Sequence, residues 1–394
     1  MKVALVHDYL REFGGAERVL ETLHEMYPDA PLYTAYFNPK SMGENGERFK
    51  GWDIRTSWFQ HMPFANKLLS PFRIFAPLMF ESFDMSEYDL VISSSSAVYF
   101  AKSVITKPET LHISYIHTPP RFLYGYTTSF NYKKNPITRV LGELANHFLR
   151  IYDFEVSQRP DILLGNSKNV VDRIKKFYRR DATVLYPPVD LSVIASETKQ
   201  STKRQKIATS SDIHQSPRND DKYFLALNRL VRGKGTEIII EACGKLGLPL
   251  KVVGAGPEIE NLKFLISNFK FQNIEFLGWV SDEERIELLK NAKALILASE
   301  DEDFGITSVE AQGVGTPVIA VRSGGYLETV IEGKTGEFYG GPGMVTAEQL
   351  IPVLKDFDPK KYDPKDCRKN AEKFSKENFK KQFTNLVEKN LKKR

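Results

Sequence analysis

Glu302 and Glu310 stand eight positions apart in the run Ala298-Ser299-Glu300-Asp301-Glu302-Asp303-Phe304-Gly305-Ile306-Thr307-Ser308-Val309-Glu310-Ala311. The run follows a short apolar stretch and opens a helical pattern, which puts Glu302 in a loop and Glu310 inside the helix. At the carboxyl edge of an open α/β sheet, two such carboxylates can face one crevice and accept hydrogen bonds from ligand hydroxyls. Gly305, Ile306 and Thr307 bring main-chain N–H groups to the helix start, where phosphate oxygens are well received. An acidic loop that merely caps a helix would carry the same two glutamates. The glycines and both flanking apolar runs favour a ligand site.

Five further groups could join it. Arg229 and Lys234 lie in Leu227-Asn228-Arg229-Leu230-Val231-Arg232-Gly233-Lys234-Gly235, directly after an apolar run, and could hold an anion. Gly254 opens a Gly-x-Gly turn that lacks the third glycine of a dinucleotide fingerprint. Val280 closes the run Phe276-Leu277-Gly278-Trp279-Val280. Gly14 and Gly15 separate the first apolar run from the first helical pattern. A glycine pair there serves either a tight turn with positive φ or close approach of N–H groups to phosphate. His117, in His112-Ile113-Ser114-Tyr115-Ile116-His117-Thr118-Pro119-Pro120-Arg121-Phe122, falls just past another apolar run.

These positions need strands and helices to hold them. Apolar runs at 3–6, 90–92, 113–116 and 162–164 are interleaved with helical patterns such as 140–154. A second series follows at 223–227, 250–253, 274–277, 294–297 and 317–321, with a helical segment in every gap. Short buried runs alternating with helices specify βα units and a mainly parallel sheet. Two series predict an α/β chain of two Rossmann-like domains, 1–187 and 188–373, joined at the stiff Tyr186-Pro187-Pro188-Val189-Asp190. Residues 196–221 hold almost no apolar side chains, cannot bury enough surface to offset ordering, and read as a disordered insertion. Over 374–394, Phe379, Phe383, Leu386, Val387 and Leu391 fall on one helix face. That stripe suits a helix returning to the first domain, which is expected, or one packed on its own.

The Glu302–Glu310 block resembles the Glu-x7-Glu motif of glycosyltransferase family 4, and the likeness runs on through Gly315-Thr316-Pro317-Val318-Ile319-Ala320 and Gly324-Gly325-Tyr326-Leu327-Glu328. Arg229 and Lys234 match the family's Gly-Arg-Leu…Lys-Gly segment, with Asn228 where the family has a small residue. The string around His117, together with Tyr88-Asp89-Leu90-Val91-Ile92-Ser93-Ser94-Ser95, Asn166-Ser167 and Tyr186 to Asp190, resembles its polysaccharide and lipopolysaccharide mannosyltransferase branch. That branch often has Met where this chain has Pro120 and His where it has Ser96.

The resemblance implies a GT-B fold, two Rossmann-like domains facing a central cleft, with the acceptor on the first and a nucleotide-sugar donor on the second. It implies retaining, front-face hexosyl transfer, most closely of mannose from GDP-mannose, to a glycan or lipid-linked glycan. Catalytic roles fall to His117, Arg229, Lys234 and Glu302. Donor contacts fall to Gly14, Gly15, Arg229, Lys234, Gly254, Val280, Glu302, Phe304, Gly305, Ile306, Thr307 and Glu310. Asp301-Glu302-Asp303 also matches the Asp-x-Asp metal string of another transferase fold. In family 4 lysine and arginine replace the metal, so neither metal nor other cofactor is expected. The competing readings are a UDP-hexose transferase of the same family, a nucleotide-sugar epimerase, and a donor-binding subunit without turnover.

Composition sets the remaining expectations. The chain is 41% hydrophobic and 27% charged, without the roughly 18-residue apolar run of a membrane span. Met1 to Asp8 read as a strand rather than a signal peptide, and two cysteines, Cys243 and Cys367, suit a reducing compartment. A cytoplasmic protein without nucleic-acid partners is expected. Residues 360–394 carry thirteen Lys/Arg against five Asp/Glu, and residues 58–83 are rich in Phe, Met, Leu and Pro. A solvated helix and ordinary packing account for both; contact with the inner face of a membrane does so as well.

Overall fold

The computed structural model describes residues 1–96, 99–126, 136–191, 222–341 and 343–392. The expected insertion at 196–221 lies outside the described residues. By its contacts the chain divides into Met1–Pro188 with Glu377–Arg394, and Val189–Lys376.

The first unit is built on seven parallel strands, β1 (Val3–His7), β2 (Leu32–Thr34), β3 (Ile54–Thr56), β4 (Leu90–Ser95), β5 (Leu111–Ile116), β6 (Ile162–Gly165) and β7 (Thr183–Val184). Their order is β3-β2-β1-β4-β5-β6-β7. Every residue of β4 and β5 is buried, as expected where helices cover both faces of a parallel sheet. Helix Gly15–Met26 buries Val19, Leu20 and Leu23. Helix Lys168–Tyr178 starts where the Ser167 hydroxyl accepts the Val170 amide at 3.1 Å. Helix Lys376–Leu391 also belongs here. Its Phe379, Phe383 and Val387 are buried in one cluster with Leu5, Leu23 and Tyr115, and Lys380 Nζ reaches Glu25 at 2.8 Å.

The second unit repeats the plan with six parallel strands, β8 (Phe224–Leu227), β9 (Leu250–Val253), β10 (Ile274–Gly278), β11 (Ala294–Leu297), β12 (Val318–Val321) and β13 (Gly336–Tyr339), in the order β10-β9-β8-β11-β12-β13. Both units are Rossmann-like α/β sheets, as the two series of apolar runs predict. In each, the order reverses beside the first strand, between β1 and β4 and between β8 and β11. The segments leading into and out of the second unit are bonded together: the Val189 amide donates to the Phe374 carbonyl at 2.9 Å, and the Lys376 amide to the Val189 carbonyl at 3.2 Å.

The loop after β4 is pinned from two sides. The wholly buried Asp8 carboxylate accepts the amides of Ser96, Tyr99 and Ala101 at 3.0, 3.2 and 2.8 Å. From the other side Lys102 Nζ meets Asp153 Oδ1 at 2.6 Å, with both side chains buried. Tyr124 and Tyr178 donate their hydroxyls to the same carboxylate at 2.8 and 3.3 Å. A buried pair this well satisfied is costly to break by halves, because one charge is left unpaired. Lys102→Met is expected to destabilise the first unit by about 3–5 kcal/mol in urea unfolding, and a Lys102→Met/Asp153→Leu double variant to recover most of that loss. Additive losses in the double variant would show that the pair is not coupled.

Candidate active site

In the second unit the loops after β8 and β11 leave neighbouring strand ends whose outer neighbours, β9 and β12, lie on opposite sides. A crevice opens at such a reversal. Gly235, at φ +67°, lets the two loops touch: a Cβ there would lie 2.5 Å from the Ala298 carbonyl oxygen. With the loops in contact, Lys234 Nζ meets Glu302 Oε2 at 2.7 Å, the side chains 24% and 19% exposed. The Tyr326 hydroxyl lies 3.5 Å from the same oxygen.

The acidic loop is held by a second glycine contact. A Cβ on Gly324 would lie 2.4 Å from the Glu302 carbonyl oxygen, and one on Gly325 2.4 Å from Phe304 Cα. The Gly325 amide donates to that same carbonyl at 2.9 Å. Gly305, at φ +89°, then turns the chain into helix Ile306–Val314. Ile306 and Thr307 are partly exposed at its start, where the first amides lack partners within the helix. Phe304 is different. Its ring is buried against Phe374, centroids 5.3 Å apart, so only its main chain can serve a ligand.

Glu310, also buried, forms an ion pair with Arg285, whose guanidinium further donates to Asp282 at 3.0 Å. Burial alone would lower the Arg285 pKa, but the Glu310 and Asp282 carboxylates outweigh it and raise it. Arg285 escaped the sequence reading: it sits in the charge-rich helix Asp282–Asn291, where nothing separates it from a solvated arginine. Arg229 is exposed on the same loop as Lys234. The Gly-x-Gly turn has a packing duty, since Cβ atoms on Gly254 and Gly256 would lie 1.9 and 2.2 Å from the carbonyl oxygens of Asn228 and Leu230. Its Gly254 amide donates to the Gly278 carbonyl at 2.8 Å, next to the partly exposed Val280. Among the described residues, no three His, Cys, Asp or Glu side chains are grouped to hold a metal ion.

The remaining expected residues belong to the first unit, at its own reversal point. Gly14 is extended, at φ −152°, and caps helix Gly15–Met26. Neither it nor Gly15 has positive φ, so the tight-turn reason for glycine does not apply. The Gly14 amide donates to Glu17 Oε2 at 2.8 Å. His117 is buried just past β5, with Nε2 2.9 Å from Ser94 Oγ and its ring against Tyr115 at 4.9 Å. Burial, with a smaller contribution from His7, pushes its pKa down to about 3, so the ring is neutral at physiological pH.

Known proteins agree with this architecture. Residues 209–374 match the family model described as Glycosyl transferases group 1. The chain is 25% identical to the alpha-1,3/1,6-mannosyltransferase ALG2 of Dictyostelium discoideum, across 99% of this chain and 98% of that one. It is 26% identical to a D-inositol 3-phosphate glycosyltransferase of Corynebacterium urealyticum, across 60% of this chain and 58% of that one. Among solved structures, HepE of Anabaena in complex with UDP and glucose superposes with a TM-score of 0.67 at 18% identity, covering 98% of this chain and 99% of that one. Sucrose-phosphate synthase from Thermosynechococcus elongatus gives 0.70 at 16% identity, with both chains fully covered. The chain therefore has the GT-B fold, carries a Glycosyl transferases group 1 domain, and is a glycosyltransferase.

Proposed function

We propose that this enzyme transfers a hexosyl group, mannose from GDP-mannose before any other, to a glycan or lipid-linked glycan with retention of anomeric configuration. The observation that carries the reading is the Lys234–Glu302 pair at 2.7 Å, set at a sheet reversal beside the start of helix Ile306–Val314. The full-length likeness to a protein named as a mannosyltransferase supports the choice of sugar.

In this reading Lys234 and Arg229 hold the donor diphosphate and Glu302 the sugar hydroxyls. The ammonium of Lys234 turns from Glu302 to phosphate when donor arrives. Glu310 accepts from ribose. Gly14, Gly15, Gly254, Val280 and the main chain of Phe304, Gly305, Ile306 and Thr307 line the donor, and His117 faces the sugar near its anomeric carbon. The bond from the anomeric carbon to the leaving phosphate oxygen breaks as the acceptor oxygen bonds to the same face. The acceptor hydroxyl proton passes to the leaving phosphate. Negative charge grows on that phosphate in the transition state, and the two cations stabilise it without a metal.

Calorimetric titration of the metal-free enzyme with GDP, UDP, GDP-mannose and UDP-glucose, with EDTA present, tests the donor. Selective binding of the guanine ligands is the expected result. Preference for UDP ligands would replace mannose by a UDP-hexose, and no binding at all would remove the donor site. Lys234→Ala should lower kcat by about 10²–10³-fold. Turnover near that of the parent enzyme would take Lys234 out of the mechanism.

A lipid-linked acceptor would be met at a membrane surface, on the cytoplasmic side. Among the described residues no helix is long and apolar enough to cross a membrane. The first unit nevertheless exposes Trp58, Phe64, Phe75 and Leu78, and helix Pro136–Val156 exposes Val140, Leu144, Phe148 and Ile151 along one face. Apolar residues displayed in this way, in a chain with a basic carboxyl-terminal segment, suit a peripheral lipid contact. Flotation with anionic phospholipid vesicles should carry the protein up, and Leu144→Glu/Phe148→Glu should leave it at the bottom. Equal flotation of parent and variant would reject this face.

A further inference from the structure

The carboxyl ends of three hydrogen-bonded strands, β1, β4 and β5, carry a chain of buried polar groups of which the roles above use only His117. The β1–β4 register sets His7 opposite Ser94, and the β4–β5 register sets Ser94 opposite Tyr115, two residues before His117. Ser94 Oγ lies between two imidazoles, 3.1 Å from His7 Nδ1 and 2.9 Å from His117 Nε2. The far nitrogen of His7, Nε2, is 3.4 Å from Glu17 Oε1, and the other Glu17 oxygen accepts the Gly14 amide at 2.8 Å. His7, Ser94 and Glu17 are all buried.

We infer that Glu17, His7 and Ser94 form a relay that fixes His117 as its Nε2–H tautomer, so that Nδ1 meets the donor sugar as a hydrogen-bond acceptor. The second half of this inference rests on the placement of His117 beside the sugar; the first half does not. Its direction follows from counting protons. An ionised carboxylate only accepts, so His7 Nε2 carries the hydrogen. The other nitrogen of a neutral imidazole then accepts, and it takes the Ser94 hydroxyl proton. With its single proton used, Ser94 Oγ accepts from His117, which places that hydrogen on Nε2. His117 Nδ1 is left with a lone pair that no bond among the described residues occupies. Glu17, His7 and Ser94 are positioning residues. They touch no substrate, and they set what His117 can offer to one.

The same counting gives an asymmetric test. In Glu17→Gln the Gly14 amide still demands an acceptor and holds the new side-chain oxygen, which turns the amide NH2 toward His7. His7 Nε2 must then accept, Nδ1 donates to Ser94, and the Ser94 hydroxyl donates to His117 Nε2. A single isosteric change three hydrogen bonds away moves the proton of His117 from Nε2 to Nδ1. Long-range ¹H–¹⁵N correlation of the imidazoles reads this directly in the full-length protein without substrate. The chain has seven histidines, and His117→Asn identifies the relevant signals.

The expected result is Nε2–H at His117 in the parent and Nδ1–H in Glu17→Gln, with kcat/KM for the Glu17→Gln enzyme lower by about tenfold. Ser94→Ala should uncouple the two rings, and Ser94→Thr, which keeps the hydroxyl, should restore the parent tautomer. A His117 already protonated at Nδ1 in the parent, a doubly protonated His7, or an unchanged tautomer in Glu17→Gln would each overturn the relay. A tautomer that switches while turnover stays at the parent value would overturn the contact of Nδ1 with the sugar and leave the relay standing.

Discussion

Parallel strands cannot be joined by a tight turn, and a sheet that grows first to one side of its opening strand and then to the other must leave one pair of adjacent strands whose following loops depart in opposite directions. Both units obey this constraint, at β1/β4 and at β8/β11. Much that is chemically notable in the molecule follows from it. His7, Asp8 and Ser94 stand at one such point, with His117 one strand further. Lys234 and the acidic loop stand at the other. Their side chains meet because the sheet leaves these strand ends uncovered by its own crossovers.

Glycine converts that opening into a fixed geometry. Gly235, Gly324 and Gly325 each stand where a Cβ would strike the main chain of the opposing loop, so the loops approach more closely than side chains would permit. Two ion pairs of different character result. Arg285 and Glu310 are largely buried, and their attraction is poorly screened, so this pair is a permanent part of the scaffold. Lys234 and Glu302 keep about a fifth to a quarter of their surface in solvent. A pair so exposed holds together weakly and can open for a competing anion. One carboxylate is anchored and the other exchangeable, although the sequence motif treats the two glutamates alike.

The sequence makes some of this legible and hides the rest for identifiable reasons. Strands β9 and β11 span the expected 250–253 and 294–297, because short, mainly apolar segments set between helical patterns have few other uses. The three-residue strands β2 and β3 are too short to show any period. Glu302 and Glu310 are recognisable as a pair since both lie on one strand–loop–helix unit. Their cations are harder to assign, for Lys234 is 68 residues from Glu302 and pairing at that separation exists only in the folded sheet. The contact of His7 with Ser94 spans 87 residues and is hidden in the same way. At Gly14 the glutamate three positions on is a helix-start signal legible in the sequence, its carboxylate accepting the Gly14 amide.

The helix Lys376–Leu391 has a consequence for how the protein is made. Proteins emerge from the ribosome amino end first, and domains generally fold as units on the way out. Here every residue of the second unit has been synthesised before the helix that closes the cluster around Leu5, Leu23 and Tyr115 of the first. The domain translated first is thus completed last. Throughout elongation it presents the greasy seat of Phe379 and Phe383 uncovered, and a nascent chain arrested before those residues would offer chaperones and proteases an unfinished first domain attached to a finished second one.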